Sequence, residues 1–133
     1  MSLAIVDASV LASFYAADDP RHAKIVSRLA SGDALYAPAH LDVEVASALR
    51  GMARKDPALE AAAPRALRHL AALPVRRVPV APLLDRMWQL RGNITPYDAA
   101  YVALAEQLGG TLITCDAKLA GAGGTHCAFD VII

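Results

Sequence analysis

The amino-acid sequence predicts an α/β domain in which a parallel sheet of four to five strands is covered by helices on both faces. Short apolar segments alternate along the chain with longer segments of helical periodicity. The short segments are apolar throughout, which is typical of parallel strands buried on both sides. Seven of the eight prolines lie at or near the proposed ends of these segments, where proline terminates regular structure.

The elements follow one another in a regular order. The predicted strands cover residues 3–6, 34–37, 76–80, 111–115 and a last stretch near 128–132, and the predicted helices cover 8–16, 20–31, 40–55, 58–73, 83–91 and 96–108, with a short helical piece before the last strand. Thr95 and Pro96 form a capped start for the helix at 96–108, and Gly109-Gly110 ends it. Pro64 lies inside the helix at 58–73, which we expect it to kink or split.

Length and composition indicate one globular domain spanning residues 1–133. Hydrophobic residues make up 56% of the chain and charged residues 20%, which excludes a disordered segment. No apolar stretch has the length of a membrane span, and the N-terminus lacks the pattern of a signal peptide. We therefore expect a cytoplasmic protein. Cys115 and Cys127 lack the spacing of a zinc or redox motif and are expected to be free thiols.

The charge is unevenly distributed although the formal net charge is zero. Residues 20–91 hold twelve of the thirteen Lys and Arg residues but six of the thirteen acids. A basic middle beside acidic flanks suits an acidic pocket rimmed by arginines that contact phosphates. It suits ordinary solvated helix faces equally well, and taken alone the distribution favours that simpler interpretation.

Four carboxylates occupy positions that are hard to explain as solvated surface. Asp7 and Asp116 follow two predicted buried strands, at the edge of the sheet where open α/β folds bind ligands. Glu44 and Asp98 lie on predicted helices at or near the inward face. Because converging acids repel one another, a hard divalent cation with oxygen ligands is the natural compensation. The pattern predicts a magnesium-type site.

Each of these acids also has a purely structural interpretation. Asp7 and Asp116 are positioned to cap the helices that follow them. Asp98 suits the positive end of a helix dipole, although its spacing to Tyr101 places it on the apolar stripe. Glu44 is a boundary residue that can pair with His40 one turn earlier, and for Glu44 this local interpretation is the stronger one. Four structural roles that all point to one end of one sheet are less economical than a single site.

The chain resembles the PIN-domain nucleases, in particular the VapC-type toxins of type II toxin–antitoxin systems. The resemblance rests on the order and spacing of four strings: I-V-D-A-S-V at 5–10, E-V-A-S-A-L-R at 44–50, T-P-Y-D-A-A-Y-V-A-L-A at 95–105 and T-L-I-T-C-D at 111–116. It extends over nearly the whole chain. It implies a Rossmann-like PIN domain that acts as a metal-dependent endoribonuclease.

The resemblance also implies roles for particular residues. Asp7, Glu44, Asp98 and Asp116 match the acidic cluster that holds Mg²⁺ or Mn²⁺. Asp7 and Asp98 would be primary ligands, Asp116 would bind through water, and Glu44 would hold a second ion or orient the nucleophile. Ser9 and Thr114 match the assisting hydroxyl positions. Ala117-Lys118-Leu119 supplies no second acid after Asp116, which argues against a fully occupied second metal site.

Substrate and partners follow from the same resemblance. Arg50, Arg54 and Lys55 continue the helix of Glu44 and are candidates to contact the RNA backbone, although cations at a helix end have a structural explanation as well. Arg76 and Arg77 suit either role. A cognate antitoxin is expected to lay a segment across the acidic pocket, and a homodimer is expected, with candidate apolar surface at Leu83, Leu84, Met87 and Trp88. The four histidines, His22, His40, His69 and His126, receive no role.

Other readings compete with a nuclease. A phosphatase of the haloacid dehalogenase type needs a second aspartate two residues after Asp7, where this chain has Ser9. A receiver domain needs an acceptor aspartate after a middle strand, and the residues around Pro38 supply none. The stronger competitor is a catalytically inactive PIN-like module that binds RNA or a protein partner. Metal-dependent stabilisation distinguishes it from a nuclease.

Overall fold

A five-stranded parallel sheet forms the centre of the molecule. The computed structural model describes residues 2–133, and its strands are β1 (Leu3–Val6), β2 (Ala34–Pro38), β3 (Val75–Val78), β4 (Thr111–Thr114) and β5 (Phe129–Val131). They are hydrogen-bonded in the order β3-β2-β1-β4-β5, and every pair is parallel. The predicted α/β class and parallel sheet are confirmed.

Within residues 2–133, seven α-helices connect and cover the strands. They are α1 (Ala8–Tyr15), α2 (His22–Leu29), α3 (Leu41–Ala53), α4 (Pro57–Ala72), α5 (Leu84–Gln89), α6 (Pro96–Leu108) and α7 (Ala117–Ala120). Because the sheet grows from β1 in opposite directions, right-handed crossovers place the helices of its two halves on opposite faces. In agreement, α1 packs on α3, whereas α5 packs on α6.

Three predicted elements differ from the structure. The strand predicted at 76–80 lies at Val75–Val78 in the structure, as β3. It ends at Val78 because Pro79 has no N–H to donate to a neighbouring strand. The predicted helix at 83–91 is divided into a 3₁₀ turn at Ala81–Leu83 and the short helix α5. Pro64 does not split α4; it is exposed, as is Glu60 one turn earlier, so the carbonyl that loses its partner faces water.

Helix α6 connects the core to the edge of the sheet where the acids lie. Its residues from Ala99 to Ala105 are all buried, and the helix packs on β1, β2 and β4. The many alanines allow the helix and the sheet to approach closely. Gly109 ends α6 in the left-handed conformation at φ 66°, where its N–H reaches the carbonyls of Ala105 and Glu106, as the glycine pair predicted.

The point at which the strand order reverses lies beside β1. The chain continues from β1 to β2 on one side and later returns to β4 on the other, so the carboxyl ends of β1 and β4 flank the topological switch point. Open α/β sheets bind ligands in the crevice at this position. Within residues 2–133, no helix is long and apolar enough to cross a membrane.

Candidate active site

Asp7 and Asp116 lie at the two strand ends that flank the switch point. Asp7 follows β1, and its Oδ1 accepts from the N–H groups of Ser9 at 3.0 Å and Val10 at 3.3 Å. Asp116 follows β4 and caps α7 in the same way, accepting from Lys118 N at 2.9 Å and Leu119 N at 3.3 Å. The capping role that the sequence allowed is therefore present at both positions, and it orients both carboxylates at one edge of the sheet.

Asp7 is a buried carboxylate without a cationic partner among residues 2–133. It is 5% exposed, and none of the ion pairs in this part of the chain includes it. Burial raises the pKa of Asp7 from 3.8 to about 6, and hydrogen bonds from Ser9, Thr114 and Val10 only partly oppose the increase. A nearby cation would relieve this cost of burial.

The two predicted hydroxyl residues tie the strand ends together. The Ser9 hydroxyl donates to Asp7 Oδ1 and accepts from Cys115 N at 3.1 Å, which joins the loops after β1 and β4. Thr114 is fully buried; its hydroxyl hydrogen-bonds Asp7 and accepts from Asp116 N at 3.0 Å. Both hydroxyls thus fix the positions of the carboxylates.

Asp98 lies in the first turn of α6, where the sequence placed it. Thr95 caps the helix through a hydrogen bond from Asp98 N to Thr95 Oγ1 at 3.3 Å. Asp98 shares with Asp116 a cavity of about 470 Å³ at the edge of the sheet. Burial raises the pKa of Asp98, and the negative charges of Asp116 and Glu44 raise it further. Asp98 is thereby close enough to both carboxylates to be repelled by them.

Glu44, on α3, is held by two neighbouring side chains. Tyr101 Oη donates to Glu44 Oε1 at 2.7 Å, and His40 Nε2 lies 3.0 Å from the same oxygen. Burial alone would raise the pKa of Glu44, but these two hydrogen bonds and the His40 charge outweigh it and leave the pKa below its ordinary value. The pairing with His40 that the sequence offered as the structural alternative is present, and it leaves Glu44 ionised.

Tyr101 lies at the centre of this group of acids. Its side chain is 1% exposed, and burial together with Glu44 and Asp7 raises its pKa strongly, so the hydroxyl remains a hydrogen-bond donor. The His40 ring packs on the Tyr101 ring with centroids 4.9 Å apart. His40 Nε2 also lies 3.1 Å from Tyr97 O, which links the start of α3 to the start of α6.

The donor set fits a hard divalent cation in chemistry but is not closed around one. All four acids supply oxygen ligands, and the mutual repulsion at Asp98 and the burial of Asp7 both favour a cation. However, no group of three or more His, Cys, Asp or Glu side chains within residues 2–133 is placed closely enough to hold a metal ion. Coordination would therefore require side-chain adjustment, with Glu44 leaving part of its hydrogen bonding.

The basic residues proposed from the sequence divide into two groups. Arg50, Arg54 and Lys55 are exposed on α3 or just after it, and the helical rise puts Arg54 about 15 Å beyond Glu44. Arg77, on β3, has a structural role instead. Its guanidinium binds both carboxylate oxygens of Asp42, at 2.9 and 3.2 Å, and donates to three backbone carbonyls at the end of α4 and in β3.

Neither His40 nor Tyr101 was assigned to the site from the sequence, although the spacing of each residue to a site acid indicated a contact. His40 precedes Glu44 by four residues, the spacing at which side chains of a helix meet, and Tyr101 follows Asp98 by three. The contact between Tyr101 and Glu44 joins residues 57 positions apart. It depends on how α3 packs against α6, which a single sequence does not reveal.

Comparisons with known proteins agree on one family. The PIN domain family profile matches residues 4–124 of this chain. Ribonuclease VapC9 of Mycobacterium tuberculosis is 40% identical over 105 residues, which cover 79% of this chain and 83% of VapC9. Ribonuclease VapC3 of the same organism is 40% identical over 118 residues, which cover 89% of this chain and 85% of VapC3.

A solved structure shares the same fold. VapC20 of Mycobacterium tuberculosis, described as a toxin that cleaves the sarcin–ricin loop, superposes with a TM-score of 0.69. The match covers 92% of this chain and 95% of VapC20 at 21% sequence identity. At that identity the likeness concerns the fold alone.

Proposed function

The chain belongs to the PIN-domain family, alongside the VapC ribonucleases, and on this basis we propose that it is a metal-dependent endoribonuclease toxin that hydrolyses RNA phosphodiester bonds. The observation that carries the proposal is the electrostatic coupling at the sheet edge. Asp98 is destabilised as an anion by both Asp116 and Glu44, while Asp7, at the end of β1 next to β4, is buried without a cationic partner among residues 2–133. A binding surface for a neutral ligand has no use for this arrangement.

We assign the metal ligands to the four acids. Asp7 and Asp98 are the primary ligands of Mg²⁺ or Mn²⁺, Asp116 binds through water, and Glu44 binds a second ion or orients the nucleophile. The chemistry that a bound divalent cation supplies is the lowering of a water pKa and the neutralisation of charge that develops on the phosphate oxygens.

The remaining residues of the site hold these carboxylates in place. Ser9 and Thr114 fix Asp7 through their hydroxyls, and Thr114 also binds the Asp116 amide. His40 and Tyr101 hold Glu44 as an anion on α3. Hydrogen-bonding partners of this kind commonly change metal affinity or activity by about 10- to 100-fold when removed.

Assignment as a toxin also implies protein partners. We propose that a cognate antitoxin in the cytoplasm inhibits the enzyme by placing a segment, including an arginine, among the carboxylates. We also propose a homodimer. Of the four apolar candidates, Leu83 is buried in the core, whereas Leu84 and Trp88 are 54% and 67% exposed and remain available for contact.

A non-cutting PIN-like module remains the second candidate, and one observation favours it. Since no group of three ligating side chains is already assembled within residues 2–133, a protein that binds RNA or a partner through this edge without metal is consistent with the geometry. It predicts no metal-dependent stabilisation.

Cleavage of cellular RNA tests the proposal. Purified, partner-free protein is incubated with total RNA in Mg²⁺, Mn²⁺ or EDTA, beside Asp98→Asn and the control Glu60→Gln, which changes an exposed acid on α4. We expect metal-dependent cleavage by the wild type and by Glu60→Gln, and loss of cleavage in Asp98→Asn. Absence of cleavage in every metal by folded wild-type protein would replace the nuclease with the binding module.

A further inference from the structure

Two cations and two carboxylates line the cavity at the sheet edge. The cavity of about 470 Å³ is lined by Asp98 and Asp116, and also by Arg91 and Lys118. No ion pair within residues 2–133 joins either cation to a carboxylate, although Arg21, Arg28, Arg77 and Arg86 are all paired in this way. The cavity therefore contains two acidic and two basic side chains that do not neutralise each other by direct contact.

The Arg91 side chain is held at the rim of this cavity. Its guanidinium lies over the Trp88 ring, 4.4 Å from the ring centroid, and Nη1 donates to Trp88 O at 2.8 Å. These contacts use one face of the guanidinium plane and one of its five N–H donors. The remaining donors are free to bind a planar or tetrahedral oxyanion in two-point contact, and little side-chain entropy is left to lose.

Position distinguishes this pair from the other unpaired cations. Arg50, Arg54 and Lys55 are on the part of α3 that leads away from Glu44, and the rise of the helix separates Arg54 from Glu44 by about 15 Å. Arg91 and Lys118 instead line the same cavity as Asp98. A ligand that contacts both the cations and the acids of this cavity must present an anionic group to the cations while its reacting group faces the acids. A phosphodiester chain has this property, because it carries a phosphate at every nucleotide.

We propose that Arg91 and Lys118 form a phosphate subsite for single-stranded RNA, which binds the phosphate next to the one that is cut. This inference rests on the proposed nuclease function, whose substrate it positions. Arg91 binds the phosphate through its guanidinium, pre-oriented by Trp88, and Lys118, on α7, contributes a point charge.

Equilibrium binding separates this subsite from general attraction between charges. A fluorescein-labelled single-stranded RNA is titrated with Asp98→Asn protein in Mg²⁺ at several KCl concentrations. Arg91→Gln, Lys118→Gln and Arg68→Gln are each added to that background; Arg68 is an exposed arginine on α4 and is the matched control. We expect each cavity substitution to weaken binding several-fold and to reduce the salt slope by about 0.7, the value for one phosphate contact on a single strand. Arg68→Gln should change neither quantity.

The contact between Arg91 and Trp88 allows a second, independent test of the subsite. Trp88 is 67% exposed, so Trp88→Leu should fold normally. We expect Trp88→Leu and Arg91→Lys to weaken binding while leaving the salt slope unchanged, because the charge stays and only its orientation is lost. Equal binding by Arg91→Gln, Lys118→Gln and Arg68→Gln would overturn the subsite, as would binding of a poly-glutamate peptide in place of RNA.

Failure of the subsite is distinguishable from failure of the nuclease. If wild-type protein cleaves RNA and Arg91→Gln and Lys118→Gln, made in the wild-type background, keep its KM, the subsite is wrong and the nuclease stands. If the wild-type protein does not cleave RNA but the two substitutions still reduce the salt slope of binding, the subsite stands and the protein is a binding module.

Discussion

The hydroxyl of Tyr101 donates a 2.7 Å hydrogen bond to Oε1 of Glu44 and thereby joins α6, which carries Asp98, to α3. Tyr101 is 1% exposed, so its hydroxyl has little access to water as an alternative partner. The same hydroxyl lies within the electrostatic reach of Asp7, which contributes to its raised pKa. One tyrosine thus links the Glu44 carboxylate on α3 directly to the helix that carries Asp98.

Removal of this hydroxyl should affect stability and activity together. We expect Tyr101→Phe to lower the free energy of unfolding by about 1–2 kcal/mol, since a hydrogen bond to a partly exposed anion is lost. We also expect metal-dependent cleavage to fall by about tenfold, because Glu44 loses its anchor. Chemical denaturation and initial rates measure the two effects. Tyr97→Phe is the matched control, since Tyr97 is 63% exposed, and it should change stability by less than about 0.5 kcal/mol.

The buried carboxylate of Asp7 predicts a particular dependence of stability on pH. Its pKa in the folded protein is about 6, above the ordinary 3.8, so the folded state binds the proton more tightly than the unfolded state. The contribution of Asp7 to the free energy of unfolding is therefore most favourable below about pH 4. This contribution is lost as the pH rises towards and through 6. The shift corresponds to about 3 kcal/mol.

Asp7→Asn measures this cost directly. Asparagine keeps an oxygen that can cap α1 and carries no charge. In EDTA at pH 8 we expect the variant to be more stable than the wild type in urea denaturation, and the difference should shrink as the pH falls from 6 to 4. A wild type that is more stable than Asp7→Asn in EDTA at pH 8 would show that Asp7 does not carry an uncompensated charge.

Arg77 should be important for folding and not for RNA. Its guanidinium binds Asp42 and three backbone carbonyls, and it is mostly buried. We expect Arg77→Gln to lower the free energy of unfolding by about 1–3 kcal/mol, because carbonyls at the end of α4 lose a charged donor. The salt slope of RNA binding should stay unchanged at a temperature where the variant is folded. A reduced slope would instead assign Arg77 to the RNA surface.

The chemistry of hydrolysis by water predicts insensitivity to the RNA 2′-hydroxyl. In the proposed reaction a metal-activated water attacks the phosphate, and none of the roles proposed for the four acids requires the neighbouring hydroxyl as nucleophile. We expect a substrate with a single 2′-deoxynucleotide at the cleaved position to be cut at a rate within a few-fold of all-RNA, with no 2′,3′-cyclic phosphate product. Mass spectrometry of the products checks this. A cyclic phosphate would indicate attack by the 2′-hydroxyl.

The sequence predicted the sheet and the positions of the acids well, because both follow from local patterns. The apolar runs before Asp7 and Asp116 are β1 and β4, and the Thr95 cap and the Gly109 stop bound α6 as expected. The strand order, which places Asp7 and Asp116 at the switch point, follows from pairing between distant segments. The local patterns in the sequence predicted the strands but not this order.

Contacts between elements were the part that the sequence did not predict. Tyr101 was assigned to an apolar stripe, and its hydrogen bond to Glu44 depends on the packing of α6 against α3. Arg91 was counted among the basic residues of the middle segment, and its position over Trp88 and beside Asp98 depends on a loop conformation. Arg77 has a structural role because its side chain reaches Asp42 on α3 and the end of α4, contacts that depend on how these helices pack on β3.

Direct measurement of Mn²⁺ binding tests the central claim, that carboxylates from separate elements form one metal site. Free Mn²⁺ is followed by electron paramagnetic resonance during titration of the wild type, Asp98→Asn and Glu60→Gln at pH 7.5. We expect saturable Mn²⁺ binding to the wild type, the same affinity in Glu60→Gln, and at least about tenfold weaker binding in Asp98→Asn. Absence of binding to the folded wild type, or equal binding by Asp98→Asn, would contradict it.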